Sequence, residues 1–287
     1  MVLGATGLLG GSLVPLLARQ GHSVACHGLK NESKNRADFS SEQESAALLA
    51  SLNPTVIVNL IGLTDVDRCE ERPNEAYLVN VRTVENVVRW ITQQGADCHL
   101  VHVSTDQVYD GPSPHTECEV RLTNYYAFSK YAGELAARTV PSSVIRTNFF
   151  GRSTRITRAS LTDWLFTALS NGTPIRVFDD VFFSPLSMAG VSEIVELCVR
   201  RKPIGIFNVG SHHGMSKADF AYAFAQDLGL STHAATRSSV EQVGLLKAYR
   251  PKDMRMDCSM FERALGVRFP ALRDEIKRVA EEYRETT

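Results

Sequence analysis

The stretch GATGLLG, residues Gly4 to Gly10, decides how the rest of the chain is read. It follows the apolar pair Val2-Leu3 and leads into an apolar-periodic segment from about Leu8 to Gln20, so it joins a strand end to a helix start. Glycines at this spacing allow a tight turn, close approach of backbone N–H groups to a diphosphate, and close packing of helix on strand. The helix N-terminus then faces the phosphates with its partial positive charge. The pattern is G-x-x-G-x-x-G rather than the G-x-G-x-x-G of many dinucleotide-binding turns. The competing reading is a glycine-rich strand–helix turn that holds no ligand. Gly4, Thr6, Gly7, Leu8, Leu9 and Gly10 are the first candidates for a dinucleotide site.

Outward from this turn, strands and helices alternate. His22 to His27 reads as a short strand, Ser41 to Leu52 as a helix, and Thr55 to Gly62 (TVIVNLIG) as a buried strand. Glu75 to Gln94 carries helical periodicity, His99 to Thr105 (HLVHVST) is a strand, Tyr125 to Thr139 a helix, and SSVIRTNFFG a strand after it. Apolar strands in alternation with helices predict an α/β fold with a doubly wound parallel sheet of Rossmann type. Residues 1–150 are expected to form the dinucleotide-binding domain, with some later segments returning to it. Residues 151–287 are expected to form mostly a smaller C-terminal α/β substrate lobe, with helices at Leu161–Asn171, Val191–Arg200, Ser216–Leu228 and from Pro270 to the end. Pro270 suits a first helical position, whereas Pro15 inside the first helix predicts a kink or local irregularity. A first strand of so few residues also leads us to expect native residues ahead of Met1.

Composition narrows the classes. The 31 basic and 32 acidic residues give a formal charge of −1, which speaks against nucleic acid or an anionic membrane as the main partner. No apolar run is long enough for a transmembrane helix, and no signal peptide is evident. The six scattered cysteines contain no C-x-x-C pair and read as reduced thiols in a cytoplasmic protein.

After the second strand comes CHGLKNESKNR, in which Lys30, Lys34 and Arg36 follow the strand end without an early acid. NAD enzymes place an acid near here for the ribose 2′-hydroxyl, so a basic loop suits the 2′-phosphate of NADP; a solvated basic loop is the alternative. Asp38 lies further along, near the expected adenine.

The segment NYYAFSKYAGE, Asn124 to Glu134, holds three tyrosines around Lys130. Residues four apart share a helix face, so Tyr126 alone can pair with Lys130. A neighbouring ammonium lowers a phenol's pKa, which equips the tyrosine to exchange a proton with a carbonyl oxygen as hydride arrives. A hydroxyl at a neighbouring strand end would complete the site, and HVSTDQVYDG offers Ser104 and Thr105. Alone, Y-x-x-x-K is an ordinary helix pair; here it stands in order after the glycine turn and the serine-threonine strand end.

Together, GATGLLG, VNLIGLTDVDRCE, HVSTDQVYDG, YAFSK and RPKDMRMDCSMFE resemble the extended short-chain dehydrogenase/reductases, most of all the dTDP-4-dehydrorhamnose reductase branch. The likeness runs over nearly the whole chain. It implies hydride transfer from NADPH or NADH to the 4-keto group of a nucleotide-linked deoxysugar, with Thr105, Tyr126 and Lys130 at the catalytic positions. It further implies that Leu60, Ile61, Gly62 and Asn80 line the cofactor, beside Lys30 and Asp38. Asp106, Gln107, Asn148, Phe149 and Arg250 are the positions expected on the substrate. Three regions depart from the branch: Gln107 replaces a tyrosine, Asn148-Phe149 replaces serine-tryptophan, and DDVFFSPLS lacks the usual glutamine-glycine.

The resulting expectation is a reductase that prefers NADP(H) to NAD(H), acts on a nucleotide sugar, binds neither nucleic acid nor membrane, and is allowed to be a homodimer. A sugar-nucleotide epimerase or dehydratase, and a non-catalytic NADP-binding regulatory subunit, are the rival readings. No metal is expected: His212 and His213 are adjacent and lack a third ligand nearby. Asp65, Asp67, Glu70 and Glu71 read as a solvated helix start.

Overall fold

A computed structural model describes residues 1–29, 34–95, 97–155, 158–244 and 246–285. Five strands form a wholly parallel sheet in the spatial order β1 (Val2–Leu3), β2 (Val56–Asn59), β3 (His99–Thr105), β4 (Ser142–Thr147) and β5 (Gly205–Val209). On the other side of β1, Cys26 and His27 run parallel to it, with Val2 N donating to Ala25 O and His27 N to Val2 O, both at 2.9 Å. The chain therefore winds outward from β1 and then returns to pair on its far side. That reversal makes the C-terminal end of β1 a switch point, and the glycine turn stands there.

Every residue of β3 and β4 is buried, as a sheet covered on both faces requires. One face packs Leu9, Leu13 and Leu17 of the first helix (Leu8–Arg19) with Val191 and Val195 against Val58, Val101 and Ile145. The other packs Leu49, Val84, Val87 and Trp90 against Leu3, Ile57 and Leu100. A separate cluster, including Phe150, Leu165, Phe183, Phe220, Phe224 and Ile276, is built from residues beyond the first four strands. No helix among the described residues is long and apolar enough to cross a membrane.

The α/β doubly wound expectation holds, and the differences from it have local causes. The second strand reduces to a bridge at Cys26 and His27, because β1 offers only two residues for it to pair with. The first helix runs unbroken through Pro15, which faces solvent, where water can serve the carbonyl that proline leaves without a donor. Pro270 lies outside its helix: Ala271 is the N-cap, the helix spans Leu272–Arg284, and the Pro270 carbonyl accepts from His212 N at 2.9 Å. The long strand after the tyrosine helix breaks at Asn148 into β4 and a short Phe149–Phe150 strand. The expected helix from Glu75 divides into Pro73–Tyr77, a π-helical turn at Leu78–Arg82, and Thr83–Gln94.

Candidate functional site

The glycine turn is shaped by contacts that exclude side chains. Gly4 has φ +72°, and a Cβ on it would lie 3.1 Å from Ile61 N and from the Leu60 carbonyl carbon. A Cβ on Gly10 would collide with the Ala5 backbone. Gly7 caps the first helix without any side-chain bond, so the first N–H groups of that helix have no side-chain acceptor. This bare helix start, closed in by Leu60 and Ile61, fits a dinucleotide's diphosphate.

His27 occupies the strand end where an NAD enzyme keeps its acid. Its ring accepts from Gly4 N at 3.3 Å through Nδ1 and bonds Ala37 O at 2.9 Å through Nε2, so it ties the turn to the next segment. Asp38 is exposed and accepts from the backbone and hydroxyl of Ser40 at 2.9 and 2.7 Å. Lys30 lies outside the described residues.

Asn80 does not present its amide to the cleft. Its Oδ1 accepts from Leu63 N at 2.7 Å, and its Nδ2 donates to Leu63 O at 3.1 Å and Ser129 Oγ at 2.8 Å. The expected cofactor contact is instead a staple that holds the Leu60–Leu63 loop to the tyrosine helix (Tyr125–Ala137). The π-turn carries Asn80 into that position, a recurrent use of π-turns at functional sites. The two elements cross so closely that a Cβ on Gly133 would lie 2.5 Å from Asn80 O.

Thr105, Tyr126 and Lys130 converge at the end of β3. All three are buried, at 4%, 6% and 4% exposure. Asn124 caps the tyrosine helix by accepting from Ala127 N at 2.8 Å, which sets Tyr126 in the first turn. Between the two hydroxyls left open by sequence, Ser104 turns into the helix and donates to Glu134, while the Thr105 hydroxyl neighbours the Tyr126 phenol and accepts from Gln107 N at 3.2 Å. Lys130 Nζ donates to Val103 O at 2.8 Å and lies 3.9 Å from where a Gly62 Cβ would be.

The electrostatics differ from the expected pair. Burial pushes the Tyr126 phenol above its ordinary value; the neighbouring Thr105 hydroxyl pulls it back, and the Asp106 carboxylate pushes it further up. Burial outweighs these effects, and the Lys130 ammonium, one turn along the helix, is directed to the Val103 carbonyl rather than to the phenol oxygen. Burial lowers Lys130 itself to about 8, opposed by Glu134 one turn along. Asp106, 1% exposed, is pushed up to about 6 by burial even though Asn148 Nδ2 donates to it at 2.9 Å.

Among the positions expected on the substrate, Asp106 and Asn148 are brought together, and the charges of Lys217 and Asp106 act on one another. Lys217 was missed because nothing in GMSKADF marks it; it is half-buried, with Nζ 5.9 Å from the Phe183 ring centroid. Gln107 Oε1 is buried without a partner among the described residues. Phe149 packs against the sheet core. Arg250 is occupied, at 2.9 Å from both Asp67 Oδ2 and Ala248 O. Asp67 also accepts from Lys247 N and Ala248 N at 3.0 and 2.9 Å, so the acidic stretch anchors the Arg250 loop rather than only meeting solvent.

A buried ion pair lies behind the site. Arg146 and Glu134 are 1% and 0% exposed, and their closest approach is 2.7 Å. Arg146 also donates to Tyr109 OH and Glu117 O, both at 2.7 Å.

The chain matches the family described as "RmlD substrate binding domain" over residues 1–285. It is 27% identical over 287 residues to the probable low-salt glycan biosynthesis reductase Agl14 of Haloferax volcanii, across 96% of this chain and 95% of that one. It is 24% identical over 303 residues to the dTDP-4-dehydrorhamnose reductase of Escherichia coli K12, across 100% and 98% of the two chains. The solved dTDP-4-dehydrorhamnose reductase of Bacillus anthracis, in complex with NADP, has the same fold, with a TM-score of 0.88 at 22% identity over 98% of each chain. With a glycine turn at the switch point, a tyrosine–lysine helix beside it and a match from end to end, the chain belongs to the RmlD substrate binding domain family.

Proposed function

We propose that this protein is an NAD(P)H-dependent reductase of a nucleotide-linked 4-keto-deoxysugar, with Tyr126 as the proton donor. The observation that carries the reading is the convergence of Thr105, Tyr126 and Lys130 beside a turn and helix start that fit a diphosphate. The bound reduced nicotinamide would supply the hydride to the keto carbon. Gly4, Thr6, Gly7 and the first turn of the helix from Leu8 would hold the diphosphate, with Leu60 to Gly62 along one side.

The chain's own part is to bind, orient and supply a proton. A phenol raised by burial stays protonated at neutral pH, which suits a donor to the nascent alkoxide. Thr105 is the hydroxyl neighbouring the phenol and would orient it toward the keto oxygen. As the proton leaves, the Lys130 ammonium is the cation on the next helical turn and balances the phenolate charge. Asp106 and Asn148 form the polar wall toward the sugar, joined by Lys217. NADP(H) over NAD(H) is the finer part of the proposal, supported by His27 in place of a strand-end acid.

The test is oxidation of NADPH and NADH, followed by absorbance, with a dTDP-linked 4-keto-6-deoxy sugar. Tyr126→Phe is expected to lose about 10²- to 10⁴-fold in turnover while cofactor affinity, read by fluorescence titration, stays within about 2-fold. Wild type that binds dinucleotide but turns over no 4-keto sugar would overturn the substrate assignment.

A further inference from the structure

The segment Thr154-Arg155, which lies beyond the Phe149–Phe150 strand, comes back over the glycine turn and the start of the first helix. Arg155 Nη2 donates to Ala5 O at 3.3 Å, and Arg155 Nε lies 3.5 Å from where a Cβ on Gly11 would be. Thr154 sits still closer to that point, so the segment lies flush on the helix start, and only glycine fits beneath it. Arg155 also lines one cavity with Thr6, His27, Lys34 and Asn35, so residues from three parts of the chain meet there.

The cavity is cationic. Lys34, from beyond the second strand, and Arg155, from beyond β4, both line it. Among the described residues, neither makes an ion pair with a carboxylate. The guanidinium spends one donor on the Ala5 carbonyl, which leaves most of its planar fork directed elsewhere. The cavity lies between the glycine turn and the end of the second strand. In a dinucleotide fold that interval receives the adenosine ribose, because the diphosphate is taken by the turn.

We propose that Arg155, together with Lys34, binds the 2′-phosphate of NADP, so that a residue from beyond the first four strands of the sheet sets the cofactor preference. Two cations lining one cavity match the dianion of a phosphate monoester, and a guanidinium can grip it through two N–H donors. A 2′-hydroxyl offers neither charge, so NAD forgoes the contact. The inference rests on the nicotinamide-cofactor reading above and assigns its adenosine end.

The experiment measures binding rather than turnover. NADPH, NADH, 2′,5′-ADP and 5′-AMP are titrated by calorimetry into wild type, Arg155→Ala, Arg155→Lys and Lys34→Ala, with thermal unfolding as the check on folding. Arg155→Ala is expected to weaken NADPH and 2′,5′-ADP by about 10- to 100-fold and to leave NADH and 5′-AMP within about 2-fold. Arg155→Lys is expected to recover part of that loss, and Lys34→Ala to show the same selectivity if Arg155→Ala fails to fold. Equal weakening of NADPH and NADH, or no weakening of 2′,5′-ADP, overturns the assignment while leaving the cofactor reading standing. Wild type that binds neither NADPH nor NADH overturns the cofactor reading and this inference with it.

Discussion

Replacing Asp106 with asparagine should make the protein more stable and less active. The carboxyl is 1% exposed, and burial raises it from 3.8 to about 6. A group raised on folding contributes its stability fully below its unfolded value, and that contribution is lost as pH rises through the folded value. Above pH 6 the folded protein therefore carries a buried carboxylate at a cost of about 3 kcal/mol, set against a total stability on the order of 5–15 kcal/mol. Asparagine keeps the shape and removes the charge. Its amide oxygen can accept from Asn148 Nδ2 as Asp106 Oδ2 does now at 2.9 Å, and its amide nitrogen can donate to Thr105 Oγ1, 3.3 Å from Oδ1. Urea unfolding of both proteins at pH 8 and pH 5 reads the difference. The variant should exceed wild type by about 3 kcal/mol at pH 8 and by roughly half that at pH 5. Reductase turnover at pH 8 should fall if, as proposed, the acid that destabilises the fold belongs to the wall that meets the sugar. A stability gap that is the same at both pH values, or a variant less stable at pH 8, would refute the reasoning.

Two further outcomes follow from buried charges. Arg146→Met strands a carboxylate that is 0% exposed; it should cost about 3–5 kcal/mol, lower the unfolding temperature on the order of 10 °C, and be partly rescued by adding Glu134→Gln. A single variant that melts with wild type would show that the pair contributes nothing. Lys130, lowered by burial to about 8, keeps its ammonium below that value, so NADPH-dependent turnover should decline as pH rises past about 8. Lys130→Arg, always charged, should move that limb of the pH profile upward by at least one pH value; an unmoved limb would assign the decline to another group.

What could be seen in the sequence was what local spacing encodes. The glycine turn at Gly4 to Gly10 and the four-residue step from Tyr126 to Lys130 need only the strand–helix alternation around them to be interpreted. Apolar periodicity placed the helix after Glu75 but is blind to one extra residue per turn, so the π-turn at Leu78–Arg82 and the inward aim of Asn80 were invisible. Pairings across long separations were equally hidden. Asp67 pairs with Arg250, 183 positions away by residue number, an ion pair that no local spacing encodes. The three arginines of Arg152–Arg158 are plain in the sequence, yet nothing local says that Arg155 folds back to Ala5. The phenol's shift ran opposite to expectation because spacing reports which groups are near, and burial reports how dry they are.

The crossing of Gly133 on the π-turn has a consequence for anyone exchanging parts between relatives. Leu63, the Leu78–Arg82 turn and the Tyr125–Ala137 helix are joined through Asn80 and Ser129 at van der Waals limits, so they are inherited as one block. A chimera cut between Leu63 and Gly133 would combine two halves of a joint shaped for different partners. Crossover points placed before Leu60 or after Ala137 leave the joint whole, and with it the alignment of the lysine and the loop it faces.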